Sequence, residues 1–138
     1  MRNENLMKSV KSKLPKLLKV MGQRGPFYVP GDEGGLGIDG SMLPNQMLTL
    51  AKLMNITESS VVFDLGCGNG YSTFILSLFN PLAIFGIDVK KNQIYQAMVT
   101  HVRLARSDVR PKRISIFSGD AIKCLKTFGP ASHGKLIC

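Results

Sequence analysis

The chain has 138 residues, 44% hydrophobic and 20% charged, a balance within the globular range that makes disorder not the default and allows one domain with a real core. Its longest apolar stretch, Phe74 to Ile87, is broken by Asn80-Pro81 and falls short of the roughly 20 residues of a membrane-spanning helix, so a soluble protein with no membrane partner is expected. The formal net charge of +9 points to an acidic partner such as nucleic acid, chromatin or a membrane surface, because summed charge governs encounter rather than fold, but by itself it does not choose among them.

Cysteine usage bounds the chemistry further. Cys67, Cys124 and Cys138 are odd in number, widely spaced and form no CxxC pair, while His101 and His133 stand far apart. That pattern argues against a disulfide framework and a zinc site, and it points to a reducing, intracellular compartment, nucleus or cytoplasm.

Leu14, Leu17, Leu18 and Met21 repeat at helical spacing, with Pro15 where a first turn tolerates it and Gly22 where a helix commonly stops. A short basic amphipathic helix is predicted there, inside an N-terminal segment spanning 1–24 that carries Arg2, Lys8, Lys11, Lys13, Lys16, Lys19 and Arg24 against Glu4. Such an acid-poor start also resembles a mitochondrial targeting segment, although lysine rather than arginine dominates it. Residues 25–60 form a second region. Glycines and prolines crowd its first part, which is predicted to be a loop of the length usual for a functional cover. Pro44 then opens a helix whose apolar face holds Met47, Leu48, Leu50, Ala51, Leu53 and Met54.

From Val61 onward, in a third region spanning 61–138, short apolar runs alternate with helical periods. Strands are predicted at Val61 to Leu65, Leu82 to Asp88, Arg113 to Phe117 and from Lys135, with helices at Tyr71 to Phe79, Lys91 to about Ser107 and Ala121 to Thr127. This is the signature of βαβ units around a parallel sheet, an α/β fold. A sheet that ends in a four-residue strand lacks cover on one side, so the region is expected to be an incomplete core, and self-association across that edge is one way to complete it.

Between the first strand and its helix lies Asp64-Leu65-Gly66-Cys67-Gly68-Asn69-Gly70. Crevices at the carboxyl ends of parallel strands bind ligands, and glycines in such a turn let a ligand approach the backbone. Asp88, at the end of the second strand, is placed to accept hydrogen bonds from both hydroxyls of a ribose. The spacing discriminates among nucleotides: a dinucleotide turn needs a small residue at position 71, which is tyrosine, and a P-loop needs a lysine after its last glycine. An acid at Asp64 opposes a pyrophosphate and suits a ligand carrying an ammonium and a sulfonium, as S-adenosyl-L-methionine does.

The segment resembles the class I S-adenosylmethionine-dependent methyltransferases, whose first motif has the form of Asp64 to Gly70. The resemblance extends to Gly86-Ile87-Asp88 as the ribose-binding acid and to Ser118-Gly119-Asp120-Ala121 as the loop whose acid, in that family, contacts the adenine amino group. It implies a Rossmann-like parallel sheet, truncated after the fourth strand and preceded by a basic helix. It also implies a cofactor site made of Asp64, Gly66, Cys67, Gly68, Asn69, Gly70, Asp88, Asp120 and Ala121. A narrower similarity joins Asp39-Gly40-Ser41-Met42-Leu43-Pro44-Asn45 and the helix after it to the non-SET histone-lysine methyltransferases of the disruptor-of-telomeric-silencing family. Here Ser41 replaces a glutamate and Asp39 stands where a tyrosine is usual. That similarity implies a histone or nucleosome partner.

These residues predict methyl transfer in which alignment does most of the work. No general base stands out, and Tyr28, Asp32, Glu33 and Asp39 are the candidates on the acceptor side. The alternatives are a non-catalytic module that binds nucleic acid or chromatin through its basic faces, Arg103, Arg106, Arg110, Lys112 and Arg113 among them, and a truncated inactive product.

Overall fold

The computed structural model of the protein describes residues 2–21, 43–128 and 135–137. Helix α1 (Arg2–Met21) and helix α2 (Pro44–Leu53) precede strand β1 (Val61–Leu65), helix α3 (Tyr71–Ser77) and strand β2 (Ala83–Asp88). Helix α4 (Lys91–Ala105), strand β3 (Ile114–Ser118), helix α5 (Ala121–Phe128) and strand β4 (Lys135–Ile137) follow. All pairings are parallel, and the strand order is β3-β2-β1-β4.

That order explains the layering. Two successive crossovers carry the chain outward from β1 to β2 to β3, and the third returns it to the far side of β1. Because crossovers between parallel strands are right-handed, reversing direction moves the connecting helix to the opposite face. The core clusters agree. Val62 and Ile84 bury one face with Phe74 of α3 and Leu104 of α4, whereas Phe63, Leu65 and Ile87 bury the other against Ala121, Cys124 and Leu125 of α5. Alternate strand residues point to opposite faces, so each strand feeds both layers.

Helix α1 begins far earlier than its predicted start near Leu14, and Pro15 lies inside it instead of in its first turn. Proline removes an amide and costs about 3 kcal/mol in a helix interior. The helix persists because Val10, Leu14 and Leu17 are buried in the main core, with Leu6, Met7 and Met21 packed against it. Each fully buried aliphatic side chain contributes about 1.5–3 kcal/mol, so the stripe outweighs the proline.

Pro44 opens α2 as expected, preceded by an extended Leu43 whose amide donates to Oε1 of Gln46 at 2.9 Å. Asn55 ends that helix at a φ of 51°, the left-handed conformation that asparagine tolerates. The predicted cover loop, including Tyr28, Asp32, Glu33, Asp39 and Ser41, lies outside the described residues, as do His133 and Cys138.

Candidate functional site

The reversal of strand order between β1 and β4 makes a switch point, and ligands of open α/β sheets bind in the crevice at the strands' carboxyl ends there. The turn at residues 66–70 leaves β1 at that point. Gly66, Gly68 and Gly70 have φ values of 71°, 55° and 88°, a region that side-chain-bearing residues rarely occupy.

The three glycines serve different ends. A Cβ on Gly66 would meet nothing within 4 Å, and one on Gly68 would meet only Oε1 of Gln93 at 3.7 Å. Both therefore border open space. A Cβ on Gly70 would lie 2.7 Å from the Phe74 ring and 3.2 Å from Cβ of Ala97, so this glycine lets α3 and α4 close on the turn. The close-packing glycine is thus Gly70, and Tyr71 instead begins α3 and packs at the border of the main core. Burial pushes the Tyr71 hydroxyl up to about 12.

The turn's amides are largely satisfied by the protein itself. Ile87 O accepts from Gly66 at 2.7 Å and from Cys67 at 3.1 Å, and Oδ2 of Asp88 accepts from Gly68 at 2.9 Å. Oδ1 of Asn69 accepts from Tyr71 at 3.3 Å. A phosphate-binding turn aims such amides at its ligand. Here they point to a carbonyl and a carboxylate, which leaves the crevice with acceptor character.

Asp88 holds both sides of its own loop, because its Oδ1 accepts from the Lys90 amide at 2.8 Å. The carbonyl of Asp88 accepts from the Gly119 amide at 3.0 Å, which ties the ends of β2 and β3 together and brings Asp88 and Asp120 to one rim. Asp120 is exposed and caps α5: its Oδ1 accepts from Ile122 at 2.9 Å and from Lys123 at 3.0 Å. Ala121 packs beneath that rim against Phe63, Leu65 and Ile87.

Asp64 lies below the turn and is only 2% exposed. Its Oδ2 accepts from Ser72 Oγ at 2.7 Å and from Thr73 Oγ1 at 2.6 Å, so the carboxylate fastens the start of α3 to β1. Burial pushes its carboxyl up from the usual value, the two hydroxyls pull it partly back, and the Asp88 charge adds to the rise. The cross-strand partner of Asp64 is Gly86. A Cβ there would stand 3.0 Å from Thr73 Oγ1 and 3.1 Å from Cys67 Sγ, so the glycine makes the space through which both side chains approach. Cys67 is buried beside the two carboxylates. Burial first, then their charge, push its thiol up to about 12.

Ser72, Thr73 and Gln93 are therefore part of the site's construction although sequence reasoning did not single them out, and Gly86, which the sequence marked only as part of the motif ending in Asp88, has a packing role of its own. A signal existed for the two hydroxyls, since a carboxylate within a buried strand requires donors and these residues begin the next helix. Among the described residues no group of three or more His, Cys, Asp or Glu is placed to hold a metal ion, and no helix is long and apolar enough to cross a membrane.

No protein-family model matches the sequence, and no curated protein matches it. Solved structures do resemble the fold. A proposed O-methyltransferase from Klebsiella pneumoniae superposes with a TM-score of 0.56 at 19% identity, over 86% of this chain and 48% of that one. A dimethyladenosine transferase from Plasmodium falciparum superposes with a TM-score of 0.50 at 22% identity, over 60% of this chain and 28% of that one. The fold is the Rossmann-like fold of the class I methyltransferases. The chain spans less than half the length of either.

Proposed function

We propose that the chain binds S-adenosyl-L-methionine at the carboxyl ends of β1, β2 and β3 and belongs to a methyltransferase. One observation carries this reading most directly: the open face of Gly66 and Gly68 lies beside Asp88 while the turn's own amides are already engaged. The residues fit such a cofactor. Gly66 and Gly68 give backbone that a ligand can approach, Asp88 retains lone pairs for ribose hydroxyls, and Asp120 reaches the same rim. Asp64, though out of contact, adds negative charge where a cationic donor lies and a phosphate would be repelled.

When bound, such a cofactor would supply an activated methyl group on a sulfonium, with S-adenosylhomocysteine as the leaving thioether when an acceptor's lone pair takes the methyl. The chain's part is positional: the turn fixes the donor's depth, the Asp88 carboxylate fixes the ribose, and the Asp88-to-Gly119 bond sets the spacing of the two loops. Both carboxylate oxygens of Asp88 hold backbone amides and Oδ1 of Asp120 holds two more, so each acid is fixed in place by its own loop.

Calorimetric titration with S-adenosylhomocysteine tests the reading, with measurable binding that Asp88→Ala weakens at least tenfold as the expected result. The acceptor we propose belongs to an acidic macromolecule, since the chain's charge is +9. A histone lysine on a nucleosome fits that charge, and the similarity of residues 39–45 and the helix after them to the non-SET histone-lysine methyltransferases supports it. A nucleic acid base fits the charge as well. Transfer of labelled methyl to nucleosomes or to RNA separates the two.

A further inference from the structure

Helix α4 carries an unpartnered face. Tyr95, Met98 and Val102 follow at steps of three and four residues and are 70%, 51% and 55% exposed. Ile94, Ala97 and Leu104 are the helix's buried side, so the exposed stripe is separate from the one that makes the core. Lys91, one turn before Tyr95, and Arg106, one turn after Val102, continue the same stripe and close its two ends. From Lys91 to Arg106 the face runs about 22 Å.

Its surroundings are strongly basic. Seven cations and one acid, Asp108, lie between Lys90 and Arg113, with Lys90, Lys91, Arg103 and Arg106 on the helix or at its ends and Arg110, Lys112 and Arg113 in the connection that follows it to β3. None of the described lysines and arginines there is held in an ion pair. An apolar stripe rimmed by charged residues is the kind of surface that takes a partner, and the cations around it suit a polyanion.

Position adds a further point. Helix α4 starts directly after the Asp88 loop, and Gln93 in its first turn stands over Gly68. The end of the face that carries Tyr95 is therefore the end nearest the glycine turn. A duplex offers base edges and phosphates to a helix, but the faces of its bases are stacked away. An exposed tyrosine with Met98 and Val102 behind it suits bases that are unpaired.

We propose that this face binds single-stranded nucleic acid, with Tyr95 stacking on a base and Lys91, Arg103 and Arg106 meeting phosphates. Resting on the methyl-donor reading above, it leads the strand to the crevice as the acceptor. An acidic amphipathic polypeptide is the rival occupant. It needs the apolar stripe but neither the aromatic ring nor so many unpaired cations.

Fluorescence anisotropy of the full chain with a short oligouridylate, over a series of salt concentrations, tests the proposal. The same-length RNA duplex and polyglutamate serve as comparisons. The oligouridylate is expected to bind more tightly than both. Tyr95→Ala is expected to weaken it about tenfold, with Tyr95→Phe near the parent protein, since stacking needs the ring and not the hydroxyl. Arg103→Gln with Arg106→Gln should lower the salt slope by about 1.4, close to 0.7 for each lost phosphate contact. Equal binding of polyglutamate, preference for the duplex, or indifference to Tyr95→Ala overturns the proposal. Circular dichroism of each variant confirms that these exposed substitutions leave the fold intact. Because the assay needs no cofactor, oligouridylate binding together with failed S-adenosylhomocysteine binding would remove the donor reading and leave the docking surface standing.

Discussion

The amide of Gly68 donates to Oδ2 of Asp88 across twenty positions of sequence, at 2.9 Å. This bond makes the glycine loop and the acid proposed to hold the ribose one unit. In Asp88→Ala, the loss of the Gly68 and Lys90 amide acceptors should cost roughly 1–3 kcal/mol, as hydrogen bonds to a charged group do. Cofactor affinity should fall by more than the loss of fold stability accounts for. Thermal unfolding and calorimetry on the same variant check this, and an unchanged affinity would show that the ligand lies elsewhere.

Gly66 and Gly70 should respond differently to alanine. Each change incurs about 1–2 kcal/mol for a left-handed residue, but only Gly70→Ala also drives a methyl against the Phe74 ring and Ala97. Phe74 is completely buried and has nowhere to move, so a further cost of about 1–3 kcal/mol is expected there. Chemical denaturation should rank Gly70→Ala well below Gly66→Ala in stability, whereas Gly66→Ala should keep its fold and lose ligand. Equal stabilities would contradict this division of roles.

Asp64 ties stability to pH with a definite sign. Its carboxyl is pushed above the ordinary 3.8, so the folded state holds the proton more tightly than the unfolded chain does. The contribution is complete below 3.8 and declines as pH rises through the elevated value. Asp64→Asn keeps an acceptor for Ser72 and Thr73 without a charge to bury. Relative to the parent, this variant should gain stability from acid toward neutral pH in urea titrations. A difference that stays constant with pH would sink the assignment.

Cys67 should resist alkylation. With its thiol near 12, compared with an ordinary 9.0, the thiolate fraction at mildly alkaline pH falls about a thousandfold. Iodoacetamide followed by peptide mass spectrometry should leave Cys67 unmodified in the folded protein and modify it in denaturant. Rapid native labelling at Cys67 would mean that the turn opens readily.

Much of the site was written locally. The glycine triplet, the acid before it and the acids after the second and third strands were legible because each is set by a tight connection between neighbouring elements. The boundaries of α3, α4 and α5 followed from apolar spacing and fell within a few residues of those observed. The start of α1 was not legible, because a proline in mid-helix argues against the element unless the burial of Val10, Leu14 and Leu17 is known. Tyr95 was likewise hidden. Its neighbours in sequence are polar or core residues, and only the folded helix aligns it with Lys91 and Arg106.

The sequence by itself determined that a parallel α/β sheet carries a glycine turn between Asp64 and Tyr71, since periodicity and turn chemistry act over a few residues. Tertiary structure decided what each part does there. Strand order placed the turn at the switch point, Gly86 gave Thr73 room to reach Asp64, and the Asp88-to-Gly119 bond drew two distant loops to one rim. Each of these joins groups far apart along the chain, and such contacts exist only once the sheet has fixed the distances between them.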